Sequence, residues 1–224
     1  MEHYDVLIVT PGSSMEKKYV VSLMATIKAL EAHGISWAYS SFSNSDVAIA
    51  REQSVAGVPD PFDYKEFDSP MAGSITYNKV FLIDSDIYWT PEDFLNLYYS
   101  DYEFVSGVYL QADMEKTILF QETFGDYTTG YEIIDKEFIL TKTFPFQVAA
   151  LGLGFCCLKQ GVLEKIKRPW FSHIIKTMPS GGVYMPSEDV SFCAKAKEAG
   201  IKIFADPTVL VGHAGKKIDI GWDR

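Results

Sequence analysis

Val80-Phe81-Leu82-Ile83 is an unbroken apolar run that passes directly into Asp84-Ser85-Asp86 and resumes as Ile87-Tyr88-Trp89. Such a run reads as a buried strand, and it constrains the chain to a fold that can cover one. Two acids closing a buried strand repel each other and lose solvation, so they call for a cation or a polar ligand. In open α/β sheets, ligands gather outside the carboxyl ends of strands, where this pair falls. Taken alone, the same residues also read as a strand-end turn that caps the next helix.

The surrounding pattern alternates strands and helices. Val6-Leu7-Ile8-Val9 is a second apolar strand, ended by Thr10-Pro11-Gly12. Ser13 to Glu16 has the spacing of a capping box, and the helix beyond it carries Val20, Leu23, Met24, Ile27 and Leu30 on one face, stopped by Gly34. Ile35 to Tyr39 reads as a strand. A helix is predicted over Ser45 to Ala56 with Arg51 near its middle, and Thr90-Pro91-Glu92-Asp93 starts another. Phe104 to Leu110 is again strand-like. Residues 111–146 change character: β-branched and aromatic residues alternate around Gly125-Asp126 and Thr129-Gly130, which predicts a strand-rich insertion. Further on, Gln160 to Lys167 reads as a short helix, and Ser187 opens another that Gly200 ends. Two short strands, Ile201 to Phe204 and Val209 to Val211, lead to Gly212-His213. The expected architecture is a single α/β domain over residues 1–224. Its sheet is mixed, mostly parallel and Rossmann-like, with helices on both faces.

Composition narrows the classes of function. With 224 residues the chain can bury one substantial core. A net charge of −10 argues against a general nucleic-acid binder, which needs a basic surface to neutralise phosphates. An anionic nucleotide then requires a metal or local basic groups. Cys156, Cys157 and Cys193 are an odd count without a C-x-x-C, which suits reduced core thiols and a cytoplasmic setting. No apolar run approaches the ~18 residues of a membrane span, and the first residues lack a basic leader, so neither a signal nor a transmembrane segment is expected.

Carboxylate oxygens of Asp84 and Asp86 with the imidazole of His213 suit Mn²⁺ or Mg²⁺, with nucleotide phosphates filling the remaining positions. Glu188-Asp189 is a second acidic pair. It reads either as helix capping or as a general base across a cleft from the metal. Gly152-Leu153-Gly154 reads as a sheet bend or as a close approach of backbone to a ligand. Arg51 pairs with a nucleotide phosphate or with Glu52 and nearby acids, and Lys216 and Lys217 meet a diphosphate or solvate the tail.

These pieces, in this order, resemble the nucleotide-sugar-dependent glycosyltransferases of the GT-A fold, family-2-like. The resemblance rests on Thr10-Pro11 at the first strand end, the Arg51 helix, the Asp84-Ser85-Asp86 (DXD) strand end, the segment LGLGFCCLK, and SEDVSFCAKAKEAGIKIFADPTVLVGH. It covers nearly the whole chain except residues 111–146. It implies that Asp86 binds the divalent cation, with Asp84 contacting the ribose or the metal and Ser85 between them, and that His213 completes the metal site. Thr10 and Pro11 fall near the base, and Arg51 near the donor, although Glu52-Gln53 replaces the Asn that often follows there. Asp189, with Glu188 beside it, matches the acceptor-activating acid of inverting members. The division implied is a nucleotide-binding half over about 1–110 and an acceptor and catalytic half over 111–224.

The function expected from the resemblance is metal-dependent transfer of a sugar from a nucleotide-diphosphate donor, UDP-linked, to the hydroxyl of a glycan or small molecule, with inversion. The alternatives are a nucleotidyltransferase of sugar phosphates and a catalytically silent relative that binds a glycan or a protein partner.

Overall fold

The computed structural model describes residues 1–60, 69–111, 116–125, 128–177, 181–214 and 219–220. In chain order the strands are β1 (Glu2–Val9), β2 (Trp37–Ser40), β3 (Ile75–Ile83), β4 (Ile87–Tyr88), β5 (Phe104–Val108), β6 (Lys116–Gly125), β7 (Thr128–Asp135), β8 (Phe146–Gln147), β9 (Ala150–Leu151), β10 (Phe155–Lys159), β11 (Lys176–Thr177), β12 (Val183–Tyr184), β13 (Ile203–Leu210), β14 (Gly212–Ala214) and β15 (Asp219–Ile220). The helices are α1 (Lys17–Ala32), α2 (Val47–Ala56), α3 (Pro91–Tyr99), α4 (Lys136–Leu140), α5 (Val162–Lys165) and α6 (Glu188–Glu198).

A seven-stranded sheet in the order β2-β1-β3-β10-β5-β13-β8 organises the chain. β1 is parallel to β2 and β3, and β5 is parallel to β13, while β10 and β8 run against their neighbours. The sheet is therefore mixed and mostly parallel, as the alternating pattern predicts. Val6 to Val9 and Val80 to Ile83 are fully buried, which explains why these strands read as continuous apolar runs and not as alternation. The orientation of β10 is decisive for the site. Being antiparallel, it places its start at the carboxyl edge of β3, with Phe155 opposite Ile83 and Asp84 N donating to Gly154 O at 3.0 Å.

The first helix departs from its expected packing. Its buried positions are Tyr19, Ser22, Thr26 and Leu30, whereas Val20 and Met24 are exposed. The reason is Trp89. Its backbone N–H donates to Ser22 Oγ at 3.0 Å, Ser22 Oγ donates to Trp89 O at 2.7 Å, and the indole N–H donates to Thr26 Oγ1 at 2.8 Å. A polar stripe with every bond satisfied thus takes the face that hydrophobicity assigns to its neighbours. Nor does the Ser13–Glu16 capping box form: Glu16 caps α1 without a side-chain bond, and its N–H donates to Ser85 O at 2.9 Å. That bond draws the residues before α1 over the acidic loop.

The other caps follow the residues. Thr90 and Asp93 exchange side-chain and backbone bonds around Pro91 at the start of α3, and Ser187 accepts from Val190 N at 3.4 Å to open α6. The strand-rich insertion is present as the β6–β7 hairpin, with β9 beside it. It also includes the short helix α4, capped by Asp135, within the segment read as strands. The two strands expected at 201–211 are one, β13, which runs through Pro207. Its register with β5 shifts between Ala205 and Leu210, so the missing proline N–H falls where the ladder is already interrupted. The three cysteines are buried and unbridged. Among the described residues no helix is long and apolar enough to cross a membrane.

Candidate active site

The acids sit at the carboxyl edge because β3 ends there. Asp84 O accepts from Ile87 N at 3.1 Å, turning the chain into β4. β4 pairs with β14, placing His213 opposite Ile87 and Gly212 opposite Tyr88. A Cβ on Gly212 would lie 1.9 Å from a ring carbon of Tyr88, so any side chain here would force the Tyr88 ring to move. Ala214 N donates to Asp86 O at 2.7 Å, and the His213 ring then stands with Nε2 3.2 Å from Asp86 Oδ2. The other ring nitrogen, Nδ1, lies 3.2 Å from Leu110 O. A carbonyl only accepts, so Nδ1 carries the proton and Nε2 is the atom presented to Asp86. The bond to Asp86 raises the His213 pKa above its ordinary value, against the opposing effect of burial.

Arg51 organises the other half of the site. Asp46 caps α2 by accepting from Ala48 N at 2.8 Å, and α2 carries Arg51 inward until its side chain is 3% exposed. One terminal nitrogen donates to both oxygens of Asp84, at 2.7 and 2.9 Å. The other reaches Glu188 Oε1 at 2.5 Å and Asp189 Oδ1 at 2.8 Å. Among the described residues its buried Nε has no partner. Glu52 does not join this cluster; it bonds Arg168 Nε at 3.0 Å and Phe171 N at 3.2 Å. Burial pushes the Asp189 carboxyl up, Arg51 pulls it down, and Glu188 and Asp84 push it up, which leaves it at about 7. A carboxylate with its pKa near neutrality is suited to exchanging a proton at physiological pH.

Beside these acids lies a cleft of about 350 Å³, walled by residues 11–14, by Asn44, Ser45, Val47 and Ala50, and by Asp84, Ser85 and Asp86. Its described walls carry carboxylates and no basic side chain. Pro11 is on this wall, but Thr10 is buried behind it, its hydroxyl hydrogen-bonded to that of Tyr19. Gly152, Leu153 and Gly154 are buried and do not line the cleft, with Gly154 packed behind Asp84. The two glycines make room for a side chain: a Cβ would lie 2.7 Å from the Tyr109 hydroxyl at Gly152 and 2.5 Å from it at Gly154. That hydroxyl accepts from Gly154 N at 2.9 Å. Tyr109 also sets its ring against His213, with centroids 5.6 Å apart. Tyr109 thus links the glycine segment to the histidine, and its only signal in sequence is its position at the end of the β5 apolar run. Lys216 lies outside the described residues.

The structure therefore brings Asp84, Asp86 and His213 to one edge and Glu188 and Asp189 to the Arg51 cluster beside it. Among the described residues no group of three or more His, Cys, Asp and Glu side chains is arranged to hold a metal ion by itself.

No family model and no curated protein matches the chain. Among solved structures, the crystal structure of A197 from STIV aligns over 100% of this chain and 95% of its own, with 18% identity and a TM-score of 0.56. The two chains share a fold. Looser likenesses join it to the inositol-1-phosphate CTP transferase from T. maritima, at 12% identity over 91% of this chain and 85% of that one, TM-score 0.40. Another is a glycosyltransferase involved in the glycosylation of the major capsid of PBCV-1, at 13% identity over 75% and 70%, TM-score 0.34. Neither of these two bears on the reaction of this chain.

Proposed function

We propose that the chain is a metal-dependent glycosyltransferase that uses a nucleotide-diphosphate sugar, UDP-linked, and transfers the sugar with inversion to an acceptor hydroxyl. The observation that carries the reading is the pairing of Asp86 with His213 beside a polar cleft, while the near-neutral carboxyl of Asp189 stands beyond Asp84. A diphosphate entering a cleft walled by carboxylates meets repulsion, so its binding needs a cation.

The donor set fits one. Asp86 offers a carboxylate oxygen and His213 an Nε2 whose partner nitrogen is fixed by a backbone carbonyl, an arrangement common behind metal-ligating histidines. Asp86 and His213 would hold the cation together with the donor diphosphate, while both oxygens of Asp84 accept from Arg51. Oxygen and imidazole donors suit Mn²⁺ or Mg²⁺. When bound, the cation neutralises charge on the departing diphosphate. Asp84 retains lone pairs for a ribose hydroxyl, and Pro11 and Ser85 wall the nucleotide side. Asp189, with Glu188 beside it, accepts the proton of the acceptor hydroxyl as its oxygen attacks the anomeric carbon.

Thermal melting with UDP or GDP, with and without Mn²⁺, tests the binding half of this reading. A shift that requires both nucleotide and metal and disappears in Asp86→Ala is the expected outcome; no metal-dependent shift with any nucleotide overturns it. Release of pyrophosphate from a nucleoside triphosphate and a sugar phosphate would point to nucleotidyl transfer instead.

A further inference from the structure

Arg51 is the side chain that joins the two halves of the site, and its geometry gives it a role that differs from donor binding. Both terminal nitrogens are committed to carboxylates at 2.5–2.9 Å, and the side chain is 3% exposed. A phosphate could reach it only by stripping away partners that are themselves ionic. One guanidinium also faces three carboxylates, Asp84, Glu188 and Asp189, so the cluster presents surplus negative charge to a diphosphate.

We propose that Arg51 is a positioning residue: it clamps the first turn of α6 to the end of β3 and so sets where Asp189 stands relative to the donor. This rests on the glycosyltransferase reading. Two features support a clamp over a simple buried ion pair. One terminal nitrogen is committed to both oxygens of Asp84, which ties that end of the guanidinium to the end of β3. The second nitrogen is shared by Glu188 Oε1 and Asp189 Oδ1, which fixes the first turn of α6 about a single point. Lysine keeps the charge of Arg51 but is a point donor on a flexible stem and cannot reproduce this fork.

The test uses Arg51→Lys, with Arg51→Met as the harsher change, and follows melting temperature, donor KM, kcat and the carbon-13 titration of the Asp189 carboxyl. The groups that shape the titration of Asp189 are Arg51, Glu188 and Asp84, and its charge in turn pushes up Tyr109, Cys156 and Cys193 around it. For a clamp, Arg51→Lys stays folded and keeps the Mn²⁺–nucleotide melting shift and the donor KM. Its kcat falls roughly ten- to a hundredfold, the scale of a misplaced catalytic group. The Asp189 titration midpoint moves upward, and further in Arg51→Met, because a cation that favours the carboxylate has been displaced or removed. Loss of the nucleotide shift in a folded Arg51→Lys would make Arg51 a diphosphate ligand and overturn the proposal. An unchanged Asp189 titration in Arg51→Lys overturns it as well. If the wild type neither binds nucleotide nor turns over a donor, the glycosyltransferase reading fails while the carboxyl titration still decides whether Arg51 holds Asp189.

Discussion

Asp86 and His213 are separated by 127 positions in the chain, and their side chains meet with Oδ2 and Nε2 3.2 Å apart. The β4–β14 pairing makes this contact, and the Leu110 carbonyl settles which nitrogen faces the acid. A charged pair of this kind has a pH signature. The folded pKa of His213 is raised, so the pair contributes stability that is fully present below the ordinary histidine value and is lost as pH rises through the folded one.

In the metal-free protein, the difference in unfolding free energy between wild type and His213→Gln is therefore largest below the ordinary histidine value and closes as pH rises through the raised folded one. Both side chains are partly exposed, so the difference stays below about 1 kcal/mol. Urea denaturation over a pH series that spans the histidine range measures it. A gap that widens with pH contradicts the assignment.

Asp189, displaced to about 7, carries its own pH dependence. As a base it works only when ionised, so kcat rises as pH passes upward through that value. Asp189→Asn abolishes this limb and lowers kcat by about 10²–10⁴-fold while the Mn²⁺–nucleotide melting shift persists. Steady-state rates over a pH series check this, and unchanged transfer in the variant removes Asp189 from the base role.

Gly212→Ala tests the strand contact that delivers His213. Its new methyl would collide with the Tyr88 ring, and an overpacked contact of this kind costs about 1–3 kcal/mol. Tyr88→Ala added to Gly212→Ala clears the clash and restores part of the loss. Equal stability of the single variant and the wild type in urea would show that the two strands do not approach as described.

Much of the fold was legible because its central strands are buried on both faces. Val6–Val9 and Val80–Ile83 show that burial directly, and Ser187-Glu188-Asp189 with Gly200 bounds α6 by local chemistry. The antiparallel direction of β10 was not legible: it depends on where Phe155 pairs, a long-range matter. The face of α1 was misread because the bonds of Trp89 to Ser22 and Thr26 outweigh the apolar periodicity of Val20 and Met24. At the site, the strand-end positions of Asp84, Asp86 and His213 could be read from the apolar runs before them. The partners of Arg51 could not, since Asp84, Glu188 and Asp189 come from distant segments while the adjacent Glu52 turns to Arg168. The glycines at 152 and 154 were conspicuous, but what they accommodate is Tyr109, which no local pattern singles out.

The most direct measurement is nucleoside diphosphate released from a panel of nucleotide sugars, with Mn²⁺ present or chelated, by wild type and Asp86→Asn. The account predicts release from at least one UDP-linked donor that requires the metal and is lost in the folded variant. Release that is indifferent to both the metal and Asp86, or none from any donor by the wild type, would contradict it.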